Sequence, residues 1–311
     1  MNYLSFQKEK LSAFSLGTVQ LGMAYGLGEF AVKPSNEEAR SLLDCAMAGG
    51  VNVLDTADNY GDSEQIIGEW LATLPQEKRP FIVTKIGPLD HSSKEALRAD
   101  ILSKTDACIK RLGVASLDML MVHIFQDYTQ DPDTVREVFN ELKACGKIRY
   151  SGLSVYSEDD YFAVAESGFD AVQIPLNVFD WRQIENGGIK AIADAGMAIF
   201  ARSVFLQGLV FMSPDRLDPR MDFCRPYLEK YFALCDKMKI SPAVLALSYV
   251  LSVSGVISVV LGCQIAAQVQ DNCSLIERVR PLTEDELAEL HEAFADIDPR
   301  VLDPRLWFNR F

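Results

Sequence analysis

No apolar run in this 311-residue chain is long enough to span a bilayer, and the opening MNYLSFQKEKLSAF has no continuous apolar core of the export-signal kind. The expectation is a cytoplasmic protein, neither exported nor membrane-embedded. Positive charge is also short: 30 Lys and Arg stand against 44 Asp and Glu, a net charge of -14. Like-charge repulsion then opposes nucleic acid and anionic membrane as partners. The only histidines are His91, His123 and His291, with no HxH pair and no HExxH. A hydrolytic metal centre built on Asp55, Asp58 and His123 would lack the usual imidazoles, so no metal is expected. Seven cysteines, odd in number and never spaced as CxxC, indicate reduced thiols rather than a disulfide framework or a zinc knuckle. Also missing are a GxGxxG fingerprint and any Lys or Arg between Val260 and Glu277.

What is present is a folded composition, 49% hydrophobic and 24% charged. Apolar runs of strand length alternate with amphipathic stretches from about residue 17 to 275, the pattern of repeated βα units around a parallel sheet. Eight strands are predicted, at 17–20, 51–55, 81–85, 117–123, 148–153, 171–175, 197–201 and 256–260. The fold class is α/β, a (β/α)8 TIM barrel, with residues 1–311 read as one domain because such barrels exceed ordinary domain lengths. Capping-box spacing marks helix starts at Ser35 with Glu38, Asp62 with Gln65, and Thr283 with Glu286, and Ser241-Pro242 supplies another cap. Ala39, Leu42, Leu43, Ala46 and Met47, like Val135, Val138, Phe139 and Leu142, fall on single helical faces and read as core. Two segments fall outside the repeat and could cover the barrel mouth: a proline-interrupted insert at 205–225 and the tail 297–311.

Four polar residues end or closely follow three successive apolar runs: Asp55 and Tyr60 in VNVLDTADNYG, Lys85 in FIVTK, and His123 in LDMLMVH. Each alone has a bland reading: a turn aspartate, a loop aromatic, a snorkelling lysine, a satisfied core histidine. In a parallel barrel, however, strand ends converge on one mouth, and together the four suit carbonyl reduction. Tyr60 is the candidate proton donor. Lys85 would draw the phenol down from its ordinary pKa of about 10, Asp55 would hold Lys85 charged, and His123 would hydrogen-bond the substrate oxygen. His91 and His291 read as surface residues.

The segments LDTADNYGDSE, FIVTK, LDMLMVH, GLSVYS and AVQIPLN, in that order, resemble the aldo-keto reductase superfamily from about Leu16 to Asn272. The resemblance implies the catalytic roles just given and a nicotinamide, NADP or NAD, bound without a Rossmann fold. It implies Gly17, Thr18 and Asp55 beside the nicotinamide, Ser154 and Gln173 at its carboxamide, and Ser203, Gln207 and Gly208 along the cofactor. It also implies a phosphate turn at Gly262 and Cys263, with Gln268, Asp271 and Asn272 at the adenosine. Two positions depart from it: Val155 stands where many relatives have asparagine, and Arg202 where many have a stacking aromatic, a role its guanidinium plane can still fill. Without a cation near Val260–Glu277, weak discrimination between NADP and NAD is expected unless Arg278 or Arg280 folds back. Tyr25, Tyr60, His123, Phe125, Phe179, Phe205 and Trp307 are candidate substrate contacts for a small carbonyl or a sugar. The competing reading is a nicotinamide-binding regulatory subunit.

Overall fold

The computed structural model of the chain describes residues 1–25 and 32–307. Two short strands, β1 (Tyr3–Phe6) and β2 (Glu9–Ser12), pair antiparallel. Eight more follow: β3 (Phe14–Gly17), β4 (Val53–Asp55), β5 (Phe81–Ile86), β6 (Leu117–Val122), β7 (Ile148–Ser154), β8 (Ala171–Pro175), β9 (Ala198–Arg202) and β10 (Val256–Gly262). They close into a parallel barrel in that order, with β10 hydrogen-bonded to β3. This is the (β/α)8 architecture that the alternation predicts.

The first barrel strand is a correction. It covers 14–17 rather than 17–20, and Val19–Gly22 forms a helical turn. The strand stops because the Thr18 amide and hydroxyl both donate to the Asp55 carbonyl, at 2.9 and 2.8 Å, bending the chain across the end of β4. The β1–β2 hairpin lies outside the predicted repeat, since YLSFQKEKLS is too polar to read as a buried strand pair.

The capping boxes at Ser35–Glu38 and Thr283–Glu286 form reciprocally. The other two caps differ from expectation. Asp62 precedes its helix, but its carboxylate accepts from Lys33 at 2.6 Å instead of capping. Ser241 precedes Pro242 with its hydroxyl buried and unpartnered.

Strand pleating sorts side chains by a period of two, and this alternation builds the site. Val53, Phe81, Val83, Met119, Met121, Ala171, Ala198 and Phe200 form one buried cluster inside the barrel. Phe6 and Leu11 of the hairpin join that cluster, with the Phe6 ring centroid 6.4 Å from that of Phe81 and 4.8 Å from that of Tyr150, so the hairpin closes the end where the strands begin. The outward-facing alternates, including Leu54, Ile82, Leu120 and Val172, pack in a second cluster with the helices, among them the predicted stripes of Ala39, Leu42, Leu43 and Ala46 and of Val135, Val138, Phe139 and Leu142. Burying each large aliphatic side chain contributes about 1.5–3 kcal/mol.

The insert forms three short 3-10 segments, Leu206–Phe211, which is kinked at Gln207 and Gly208, Pro214–Arg216 and Pro219–Cys224, before the helix Arg225–Met238. The tail is pinned by Trp307, which is 2% exposed and whose Nε1 donates to the Arg300 carbonyl at 2.9 Å. Phe308 and Phe311 lie outside the described residues.

Candidate active site

Continuing each inner row of the barrel by two residues reaches its polar rim. Val53 leads to Asp55, Val83 to Lys85, Met121 to His123, Ala171 to Gln173, and Phe200 to Arg202. At the centre lies an ion pair. Lys85, with no exposed surface, donates from Nζ to Asp55 Oδ1 at 2.7 Å and to the Thr56 carbonyl at 2.9 Å. Gln173 Nε2 donates to the same carboxylate oxygen at 2.6 Å, so the amide expected at the nicotinamide carboxamide also anchors Asp55.

The half-buried Tyr60 ring lies over this pair, its centroid 5.2 Å from the Lys85 ammonium and 5.7 Å from the His123 ring, edge-on at 78°. The loop carrying it is braced by hydroxyls: Ser63 donates to the Thr18 carbonyl at 3.0 Å, and Thr56 donates to Ser63 at 3.1 Å. Beneath the loop, buried Glu64 accepts from Thr84 at 2.5 Å and from Arg111 Nε at 2.6 Å.

The electrostatics correct one expectation. The Tyr60 phenol is pushed well above its ordinary value, first by burial and then by the Asp55 charge, with Arg202 opposing. Burial outweighs any help from Lys85, whose ammonium lies 2.7 Å from the Asp55 carboxylate. Burial also lowers the Lys85 pKa, against the pull of Asp55. His123 is pushed down to about 3 by burial and then by the Lys85 and Arg202 charges, so its ring is neutral near pH 7. Its buried Nδ1 has no hydrogen-bond partner among the described residues.

Arg202 is half-buried and stacks on Tyr156, with its guanidinium carbon 4.5 Å from the ring centroid. It donates to the Val155 carbonyl at 3.0 Å and forms no ion pair among the described residues. Nothing in the sequence marked Tyr156 as its platform. The chain after β9 is tight: Ser203, Leu206 and Gln207 have left-handed φ values of 61°, 45° and 51°, and Gly208 follows at 91°. Non-glycine residues hold that conformation at a cost of about 1–3 kcal/mol each, and such strain clusters at ligand sites.

At the β3–β10 seam Gly17 pairs with Gly262. Cys263 follows with its thiol buried and pushed up to about 12 by desolvation, so only its backbone is available to an anion. Gln268 Oε1 accepts from the Gln264 amide at 2.8 Å. Asp271 is exposed, whereas Asn272 turns inward and donates to Cys263 Sγ at 3.2 Å, away from the outward-facing role expected of it. Ser154 ends β7, 4% exposed.

Several predicted contacts belong instead to the apolar interior. Phe125 stacks on Tyr128, Phe179 packs against Tyr231 and Phe294, and Trp307 anchors the tail, all within the barrel–helix core. Phe205 packs against Phe211 in the insert. Tyr25 is 46% exposed and close enough to bear on the Tyr60 shift, so it borders the mouth. The two remaining histidines are less free than expected. His91 is largely covered, 3.4 Å from Asp127, and His291 lies against Trp181 and Glu185. Asp58, considered for a metal, accepts weakly from the Gly87 amide at 3.4 Å, while Asp55 already holds Lys85 and Gln173. No helix among the described residues is long and apolar enough to cross a membrane.

The sequence model of the Aldo/keto reductase family matches residues 13–295. An aldo-keto reductase of Strobilurus tenacellus is 31% identical over 224 residues, 68% of this chain and 63% of that protein. The NADH-specific methylglyoxal reductase of Escherichia coli is 27% identical over 263 residues, 73% of this chain and 79% of that protein. Among solved structures, glycerol dehydrogenase from Gluconobacter oxydans superimposes with a TM-score of 0.76 at 23% identity, covering 97% of this chain and 98% of that one.

Proposed function

The chain belongs to the aldo/keto reductase family, and on that premise we propose that it interconverts an aldehyde, ketone or sugar carbonyl with its alcohol, with Tyr60 carrying the proton. The observation behind this is the Tyr60 phenol lying over a Lys85 ammonium locked by Asp55 and facing a neutral His123.

The rim fits a nicotinamide dinucleotide. Among the described residues it offers an imidazole nitrogen without a partner at His123, a guanidinium without a carboxylate at Arg202, a strained loop from Ser203 to Gly208, and facing glycines at 17 and 262. Ser154 and Gln173 would meet the carboxamide, Arg202 the ring face, the strained loop the pyrophosphate, and Gly262, Cys263 and Gln268 the adenosine end. A bound nicotinamide supplies hydride to the carbonyl carbon, or accepts it in reverse.

The raised Tyr60 pKa keeps the phenol protonated near neutral pH, which suits donation to a carbonyl oxygen as negative charge develops there. Removing a proton from an alcohol needs the phenolate, so oxidation should accelerate with rising pH while reduction does not. Neutral His123 can hydrogen-bond the substrate oxygen without a second cation beside Lys85. Asp55 and Gln173 hold Lys85 and its field in place.

Cofactor choice rests on the turn after β10. Arg280 is bound to Glu286 at 2.6 Å, and Arg278 caps the far end of the helix Ala266–Glu277, roughly 18 Å along its axis. Neither is positioned to pair with a 2'-phosphate, so NAD should compete well with NADP.

The test mixes protein with NADH or NADPH and either methylglyoxal or glyceraldehyde, following loss of reduced-nicotinamide absorbance. Turnover with NADH at least comparable to that with NADPH is expected. Binding without turnover across aldehydes and sugars would overturn the enzyme reading in favour of a regulatory one. Strong, salt-sensitive selectivity for NADPH would overturn the account of the turn.

A further inference from the structure

Gln20 belongs to none of the groups assigned above, yet it occupies the seam between the reaction centre and the phosphate turn. It rides on Val19–Gly22, the turn that replaced the expected end of β3. That turn meets the Tyr60 loop backbone to backbone: a Cβ at Gly22 would come within 1.7 Å of the Tyr60 carbonyl oxygen, and one at Gly61 within 2.3 Å of the Gly22 carbonyl oxygen. The position of Gln20 is therefore tied to that of Tyr60. Its side chain reaches the neighbouring strand β10, where the carboxamide lies on Gly262, whose absent Cβ would fall 2.3 Å from Nε2 and 2.7 Å from Oε1. A side chain at position 262 would push the Gln20 carboxamide from this place.

Gln20 Oε1 is nevertheless buried without a hydrogen-bond partner among the described residues. A buried carbonyl oxygen without a donor is destabilising, and a bound ligand that supplies the donor relieves that cost. The missing partner must carry O–H or N–H. A phosphate oxygen would be repelled, so the neighbouring pyrophosphate cannot satisfy it. Between the nicotinamide and the pyrophosphate, a dinucleotide carries the hydroxyls of one ribose.

We propose that Gln20 is a cofactor-positioning residue whose Oε1 accepts a hydrogen bond from the ribose hydroxyls on the nicotinamide side, linking the Tyr60 loop to the phosphate turn. This rests on the nicotinamide reading above. Because the contact is on the half shared by NADH and NADPH, it should affect both alike.

The test is calorimetric binding of NADH, NADPH, the reduced nicotinamide mononucleotide and ADP to wild type and Gln20→Met, a substitution that keeps bulk over Gly262 and removes the acceptor. Expected is about tenfold weaker binding of NADH, NADPH and the mononucleotide, with ADP unchanged; tenfold is about 1.4 kcal/mol. Gln20→Glu, which keeps an acceptor oxygen, should recover part of the mononucleotide affinity. Unchanged NADH binding in Gln20→Met, or a loss shared by ADP, would overturn the role of Gln20. If wild type binds neither reduced dinucleotide, the functional reading itself fails.

Discussion

The two ends of the barrel interior use the same strands and the same inward-facing rows, yet differ completely in chemistry. Where the strands begin, Phe81, Val83, Met119 and Phe200 pack against Phe6 and Leu11 of the hairpin in an apolar plug. One pleat further along, those rows end in Asp55, Lys85, His123, Gln173 and Arg202. The plug is complete in itself, whereas the rim is only partly satisfied. Asp55, Lys85 and Gln173 bond one another, but among the described residues His123 Nδ1 and Gln20 Oε1 have no partner and Arg202 has no carboxylate. On the proposed function, the apolar end serves packing alone, and the partly satisfied end is where a ligand would bind and react.

Lys85→Met should have the largest effect and most severely test that division, because it breaks a rim contact that also supports folding. Removing the ammonium leaves the Asp55 carboxylate buried with only Gln173 as a side-chain donor, and breaking a buried pair in this way costs about 3–5 kcal/mol. Denaturant unfolding should register that loss, turnover should collapse, and Asp55→Asn should be milder on both counts. A Lys85→Met protein with unchanged stability would mean that the pair is not a structural element. Phe200→Ala makes the opposite comparison, expected to cost about 3–5 kcal/mol by leaving a cavity in the plug. Molecules that remain folded should show ordinary KM and kcat. A specific loss of cofactor affinity would show that the two ends are not separable.

Arg202→Leu should change stability by less than about 1 kcal/mol, since the guanidinium has no ion-pair partner to strand, while weakening dinucleotide binding roughly tenfold. Equal affinities by titration would remove Arg202 from the cofactor site. At neutral pH the smallest effect is that of His123, because it emerges only as the solution is acidified. His123 has its folded pKa depressed from about 6.5 to about 3, so its neutral burial stabilises fully above about pH 6.5, and that contribution is lost as pH falls toward 3. The loss is at most ~1.4 kcal/mol per pH unit within that window. His123→Gln should flatten the fall in melting temperature across it, and an unchanged slope would place the titration elsewhere.

The plug and the rim were unequally legible in the sequence. Strand-length apolar runs gave the eight strands to within a few residues, except at β3, where Thr18 turns the chain early and apolarity alone could not indicate it. The rim tetrad stood out because each polar residue interrupts or follows such a run. Arg202, Ser154 and Gln173 needed the family pattern, and their partners needed coordinates: that Gln173 bonds Asp55, that Tyr156 carries Arg202, and that Gln20 lies on Gly262 depend on contacts between distant strands. The aromatic pocket was misjudged because Phe125, Phe179 and Trp307 are hydrophobic enough to suit either a pocket or a core, and packing drew all three into the core. The rise of the phenol's pKa is not legible in the sequence because burial, its largest cause, and the Asp55 charge beside Lys85 both depend on how the barrel packs.

The central claim, that the rim reacts through Tyr60, is tested most directly by rapid mixing of the Tyr60→Phe protein preloaded with reduced nicotinamide against excess aldehyde. Single-turnover hydride transfer is read from absorbance, and cofactor affinity from the preceding titration. The account predicts cofactor binding indistinguishable from wild type and hydride transfer slowed by roughly 10²–10⁴-fold, the usual contribution of a positioned acid. Transfer at close to the wild-type rate would contradict it, because the proton would then reach the carbonyl oxygen without the phenol.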